Sequence, residues 1–205
     1  MTPLRWRNLC IRAAIPEDAS LLARWWNDGA VMAHAGFPFG LGRSAEQIAA
    51  DLETDSDERR RRMILELDGV SVGECSYTIA GDAAEIGIKL CEARYQNQGY
   101  GRRYLSLLID HLLRERGLRR ILLDTDPANA RARHVYESLG FRLTGIRRAC
   151  WKDKLGADRD AADYELLPGN FRDWRLIGEC AAAALDHPDK AGSGDLGGVE
   201  PLKRT

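Results

Sequence analysis

No stretch of this chain approaches the roughly 20 consecutive apolar residues that a membrane-spanning helix needs, and the N-terminus has no basic segment followed by an apolar one. Both absences point to a cytoplasmic protein with no membrane partner. The four histidines, His34, His111, His134 and His187, fall at no ligand spacing such as HExxH. The five cysteines, Cys10, Cys75, Cys91, Cys150 and Cys180, are an odd number at wide spacing with no CxxC pair. No metal site is expected, and the thiols read as reduced and buried. A charge excess is missing too: 30 basic against 31 acidic residues leave a formal net charge of −1, so global charge predicts no partner. The run Glu58-Arg59-Arg60-Arg61-Arg62 follows the acidic segment Asp51 to Asp57 and reads as a solvated turn, which argues against nucleic acid. Internal repeats are absent.

What is present is ordinary globular composition, 44% hydrophobic and 30% charged over 205 residues, enough for one domain that buries roughly 70% of its unfolded surface. Residues 1–176 read as that domain. Residues 177–205, rich in Gly, Asp, Pro and Lys, read as a largely disordered extension, with 180–185 adding at most a helical turn. Leu9-Cys10-Ile11-Arg12 suits a first strand, and Pro16-Glu17-Asp18 opens a helix carrying Leu21, Leu22, Trp25 and Trp26 at helical spacing. Ser44 and Gln47 have capping-box spacing ahead of Ile48 and Leu52. From Met63 the period drops to two: one strand to Leu67, the turn Asp68-Gly69, a second strand to Thr78, then a third from Ala84 to Leu90.

The following segment differs in kind. Gln96-Asn97-Gln98-Gly99-Tyr100-Gly101 is a polar, glycine-bearing loop running into the apolar stripe Tyr100, Tyr104, Leu108 and Leu112, which ends at Gly117. Without Cβ atoms at Gly99 and Gly101, successive main-chain amides can curl around an anion that also meets the positive end of a helix dipole. Arg102 and Arg103 add charge. A plain turn before a helix has the same spacing, and the Lys-Ser/Thr ending of a nucleotide-binding P-loop is missing. A buried-type strand at Arg120-Ile121-Leu122-Leu123-Asp124, a helix over 129–139 closed by Gly140, and two closing strands complete a mixed sheet with helices on both faces, an α/β or α+β arrangement.

Residues 84–141 resemble the core of the GNAT superfamily of acyl-CoA-dependent N-acyltransferases. The resemblance rests on the Gln-x-x-Gly-x-Gly loop after the strand Glu-Ile-Gly-Ile-Lys-Leu. It rests equally on Asn129 and Tyr136 sharing a helix that ends in Gly140-Phe141. The segment Trp25-Trp26-Asn27-Asp28 is similar to the branch containing ribosomal-protein and aminoglycoside N-acetyltransferases, in which dimerisation is common, so a homodimer is one expected assembly.

The resemblance implies an acetyltransferase using acetyl-CoA as co-substrate. The strand before the loop should bulge and splay from its parallel neighbour, opening a V that takes pantetheine like an added strand. Main-chain groups of Ile88, Lys89 and Leu90 would line that V, with an amide near Ile88 polarising the thioester carbonyl. Gln96, Asn97, Gln98, Gly99, Tyr100, Gly101 and Arg102 would hold the diphosphate, and the Asn129 amide would meet pantetheine. The resemblance also gives Tyr136 as the acid that protonates the departing thiolate, and Glu85 as the base that frees an acceptor amine whose pKa lies near 10. Simpler readings stand beside these: Tyr136 as a core aromatic, Glu85 as an exposed strand glutamate. Trp25, Trp26 and Asn27 are more readily core than pocket, His34 more readily an exposed loop histidine, and Cys91 an inert thiol. The expected chemistry is direct attack of a primary amine in a ternary complex, the alternative being a silent acetyl-CoA-binding sensor or interaction module.

Overall fold

The computed structural model describes residues 1–177, so the expectations for 178–205, the helical turn at 180–185 included, lie outside the described residues. Met1–Arg175 is one compact unit. Eight strands form one sheet: β1 (Leu4–Trp6), β2 (Leu9–Ala13), β3 (Arg60–Leu67), β4 (Val70–Ala80), β5 (Ala83–Leu90), β6 (Arg120–Thr125), β7 (Arg142–Lys152) and β8 (Asp158–Leu166), in the order β1-β2-β3-β4-β5-β6-β8-β7. The β5–β6 pair is parallel and every other neighbouring pair antiparallel. The architecture is the α+β mixed sheet expected, with two additions: β1, and a β7 that runs on to Lys152.

The apolar run of β3 is continuous because the sheet is covered on both faces there. Met63, Leu65 and Leu67 pack into the main core with α4 (Tyr100–Asp110) and α5 (Ala130–Leu139). Ile64 points the other way, into a second cluster with Leu22, Trp25, Trp26, Ile48 and Leu52 from α1 (Ala19–Trp26) and α3 (Ala45–Glu53). Between α1 and α3 lies the short α2 (Gly29–Met32), a second element absent from the sequence reading. The hairpin turn Asp68-Gly69 has φ of 51° and 78°, the pair of left-handed residues a two-residue turn needs to match strand twist.

Ion pairs tie the layers together. Arg12 reaches Asp18 at 2.6 Å and Glu66 at 2.7 Å. Arg62, whose guanidinium burial pulls its pKa down, meets the buried side chain of Asp55 at 3.2 Å, and the same carboxylate accepts the Arg62 amide at 2.8 Å. The capping box forms as its spacing predicts, Ser44 accepting from the Gln47 amide and Gln47 from that of Ser44. Among the described residues no helix is long and apolar enough to cross a membrane.

Candidate active site

The β5–β6 ladder is short. It joins Ala83, Ala84 and Glu85 to Arg120, Ile121 and Leu122 and then stops, so the two strands diverge from Ile86 onward. The β4–β5 ladder, by contrast, keeps one register from Ala80↔Ala83 to Gly73↔Leu90. The register is unbroken within Ala83–Leu90, and the bulge comes just past the strand's end, where the Cys91 and Glu92 amides both donate to the Val72 carbonyl, at 3.0 and 3.2 Å; the V opens because β6 leaves, while β4 holds β5 along its whole length.

That ladder also decides which main-chain groups face the V. The Cys91 amide donates to the Val72 carbonyl at 3.0 Å in the same register, and antiparallel pairs alternate between bonded and non-bonded, so Lys89 turns its amide and carbonyl toward β4. Ile88 and Leu90 turn theirs toward the opening. Lys89 is thus misplaced in the expected set, and its side chain pairs with Glu74 at 3.2 Å instead. The Leu90 carbonyl is already taken by Gln96, whose side-chain amide donates to it at 2.8 Å and so fixes the start of the glycine loop against the strand.

In that loop Asn97 and Gly99 both have left-handed φ, 60° and 79°. Gly99 is the N-cap of α4 and offers no side-chain cap, and the first helical amides have no partner a turn earlier in the chain. The two glycines are required for different reasons. Gly99 needs its backbone conformation; Gly101 is ordinary helix, and a Cβ built there meets nothing within 4 Å. Among the described residues no contact requires glycine at 101, so what the missing Cβ leaves is open space beside the first amides of the helix, a cradle that fits a diphosphate.

Of the two arginines expected beside the loop, Arg102 lies over the Trp174 ring at 4.3 Å and Arg103 over Tyr100 at 5.7 Å. Arg102 is drawn away from the cradle by that stacking. The cation that spans the V is Arg131 on α5, within 3.3 Å of both the Gln96 and Asn97 side-chain oxygens. Sequence reading passed over it because it stands about 30 residues downstream, and only the packing of α5 beside α4 brings it to the loop. Gln98 braces the loop from within through the Arg94 carbonyl, and Tyr95 and Tyr100 meet edge to face.

Asn129 is the N-cap of α5, its side-chain oxygen accepting from Ala132 at 3.1 Å, which leaves its amide NH2 as the donor available to other partners. Tyr136 follows on α5 with its ring buried against Phe141 and Tyr164. Burial first, and then the negative charge of Asp124, push its phenol up to about 12, so it stays protonated at neutral pH. The core and acid readings are compatible: the ring packs while the hydroxyl forms no hydrogen bond to the described residues.

Glu85 is exposed at the vertex of the V, on the sheet face shared with Gly87 and Lys89. The register carries that face across Leu122 to Asp124 and on to Asp163 of β8. Asp124, not singled out from sequence, is the acidic group whose charge bears on Tyr136. Trp25 and Trp26 are core, as expected, with the Trp25 indole donating to Glu92 at 3.0 Å. Asn27 braces a loop, donating to the Arg43 carbonyl and accepting from its amide. Cys91 is buried, and burial, then Glu74, hold its thiol well above the usual thiol range, as suits an inert thiol. The His34 side chain lies outside the described residues.

The end of the β7–β8 hairpin leans onto the loop after α2. A Cβ at Gly36 would lie 2.0 Å from the Trp151 ring, and the Lys154 ammonium donates to the Gly40 and Leu41 carbonyls at 3.1 and 3.0 Å. A separate cavity of about 530 Å³ at the β1 edge, lined by Arg5, Asp57, His111 and Arg116, contains none of the residues of the V.

A family model described as "Acetyltransferase (GNAT) domain" matches residues 8–142, more than half of the chain. The chain belongs to the GNAT acetyltransferase family. Among curated proteins, this GNAT chain is 48% identical over 54 residues to the [ribosomal protein bS18]-alanine N-acetyltransferase of Escherichia coli K12; the match covers 26% of this chain and 36% of that protein. The chain thus matches about a third of the length of that relative. Among solved structures, the spermidine N-acetyltransferase from Vibrio cholerae in complex with CoA and spermine superposes with a TM-score of 0.70 at 20% identity, over 80% of this chain and 97% of that one. The ribosomal-protein-S5-alanine acetyltransferase from Vibrio fischeri gives 0.69 at 19% identity, over 84% and 100%. At those identities the likeness concerns the fold.

Proposed function

We propose that this GNAT protein moves an acetyl group from acetyl-CoA to a primary amine by direct attack within a ternary complex. The observation that carries the reading is the divergence of β5 and β6 past Glu85 and Leu122, which leaves the Ile88 and Leu90 main chain facing a gap whose far end is the Gly99–Gly101 cradle. Acetyl-CoA supplies an activated acyl group on a thioester. The chain's own part is to hold and orient it: amides 99–102 and Arg131 at the diphosphate, Ile88 and the Asn129 NH2 along the arm. The Ile88 amide is the donor placed to polarise a carbonyl in the gap, an effect worth about 3 kcal/mol per donor in comparable sites.

Tyr136, kept protonated, is the proton donor for the departing thiolate. Two carboxylates share the acceptor face, Glu85 at the vertex and Asp124 on the β6 arm; both are placed to take the proton of an incoming ammonium, directly or through water. The open face supports entry of the acceptor from the side of α1–α3, opposite α4 and α5. Relatives that act on ribosomal-protein N-termini and on spermidine set the acceptor classes to try first. The test is CoA-thiol release with acetyl-CoA over a panel of amines and peptides with free N-termini. Release with at least one acceptor is expected, and stoichiometric acetyl-CoA binding without release across the panel would favour a silent sensor instead.

A further inference from the structure

Asp124 and Asp163 face each other across the β6–β8 ladder on the open face of the sheet. Like charges directly opposite on adjacent strands repel, and here one cation compensates for both. The Arg147 guanidinium spends two hydrogen bonds on Asp163, at 2.7 and 2.8 Å, and one on Asp124, at 3.0 Å. The division is unequal: Asp163 is gripped by the fork, Asp124 by a single arm. Arg147 and Asp124 are about half exposed, at 55% and 50%, so the weaker contact lies where an acceptor can reach it. The backbone beside Arg147 departs from regular pairing. The β7–β8 register breaks between Arg147 and Trp151, Ala149 sits at φ 46°, and Asp160 pins the irregularity by accepting the Ala149 amide at 2.9 Å.

We propose that Arg147 is a stand-in cation that occupies Asp124 until the ammonium of the acceptor replaces it. The inference rests on the acetyltransferase reading and adds to it a positioning residue for the acceptor. On arrival, a primary ammonium brings up to three N–H donors to Asp124, and Arg147 gives up one bond while keeping both to Asp163. Neither aspartate is left bare during the exchange. The acceptor is thereby required to be cationic when it binds, and it is held on the sheet face that Asp124 shares with Glu85. A neutral isostere of the amine, an alcohol for instance, has no charge with which to displace the guanidinium.

The arrangement makes two substitutions act in opposite directions, which a merely structural role for the trio would not do. In Arg147→Gln the acceptor no longer competes for Asp124, so its KM falls about two- to fivefold, the range for an exposed ion pair, with a smaller change in kcat. In Asp163→Asn the guanidinium loses its main anchor and turns wholly to Asp124, so KM rises by a similar factor. The double variant follows Arg147→Gln. The probes are n-butylamine and a C-terminally amidated tetrapeptide with uncharged side chains, whose free N-terminus is its one cation, with acetyl-CoA affinity measured in parallel to confirm an intact fold. A raised KM in Arg147→Gln, or equal shifts in both single variants, overturns the proposal; should Asp163→Asn fail to fold, Arg147→Gln alone decides. If the native protein releases no CoA with any amine, the transferase reading fails by itself. Calorimetric affinities of the same two probes in the presence of CoA then decide the role of Arg147, tighter binding in Arg147→Gln supporting it and weaker or unchanged binding refuting it.

Discussion

Replacing Gly101 by glutamate should make the protein more stable and unable to bind its co-substrate. Gly101 has no left-handed φ, lies in the first turn of α4, and a Cβ there would meet nothing within 4 Å. Relative to glycine, a glutamate in a helix gains most of the ~1 kcal/mol that glycine forfeits through backbone entropy. Its charge near the helix N-terminus adds about 0.3–1 kcal/mol. The sum, about 1–1.5 kcal/mol, raises the melting temperature by a few degrees in a chain of this size. The same carboxylate projects into the space assigned to a diphosphate, and like charges in contact cost several kcal/mol, so acetyl-CoA affinity should fall by more than about a hundredfold. Gly99→Ala is the contrast: with φ at 79°, an added Cβ costs about 1–2 kcal/mol and lowers the melting temperature. Differential scanning calorimetry of the free protein and isothermal titration with acetyl-CoA read the two effects separately. A Gly101→Glu protein that binds acetyl-CoA like the native one would refute the cradle, and one that melts several degrees lower would refute the claim that the space is open.

Tyr136→Phe keeps the packing against Phe141 and Tyr164 and removes the proton donor, so kcat should drop about a hundredfold while acetyl-CoA affinity holds; an unchanged kcat in steady-state assays removes Tyr136 as the acid. Because folding raises the Tyr136 pKa from 10 to about 12, its contribution to stability is complete below pH 10 and is lost as pH rises toward 12; alkaline melts of the native and Tyr136→Phe proteins should diverge in that window. Asp55→Ala leaves the buried Arg62 guanidinium without its closest carboxylate and should cost about 3–5 kcal/mol in urea unfolding, whereas a loss under 1 kcal/mol would mean that Asp51, 3.8 Å away, replaces it. Cys91→Ala should leave turnover intact, since burial keeps that thiol protonated, and an inactive but folded variant would reopen an acetyl-cysteine route.

Local signals in the chain determined the elements and their order. Asp68-Gly69, Ser44 with Gln47, and the glycine loop ahead of the Tyr104 stripe each encode a turn, a cap or a helix start within a few residues, because those conformations depend on neighbours in the chain. The two short elements, β1 and α2, escaped notice because three or four residues are too few for a period to show. Which residues share the V was a different matter. The outward main chain of Ile88 and Leu90, the inward one of Lys89, the diversion of Arg102 onto Trp174 and the arrival of Arg131 at Asn97 all follow from ladder register and helix packing. So does the meeting of Asp124, Asp163 and Arg147, up to 39 residues apart in sequence. The chain alone fixed a glycine-lined helix start suited to an anion. Only the tertiary fold, by letting β6 part from β5 after three residues, turned that loop into one end of a slot with carboxylates along its rim, because strand divergence depends on long-range pairing that no local pattern encodes.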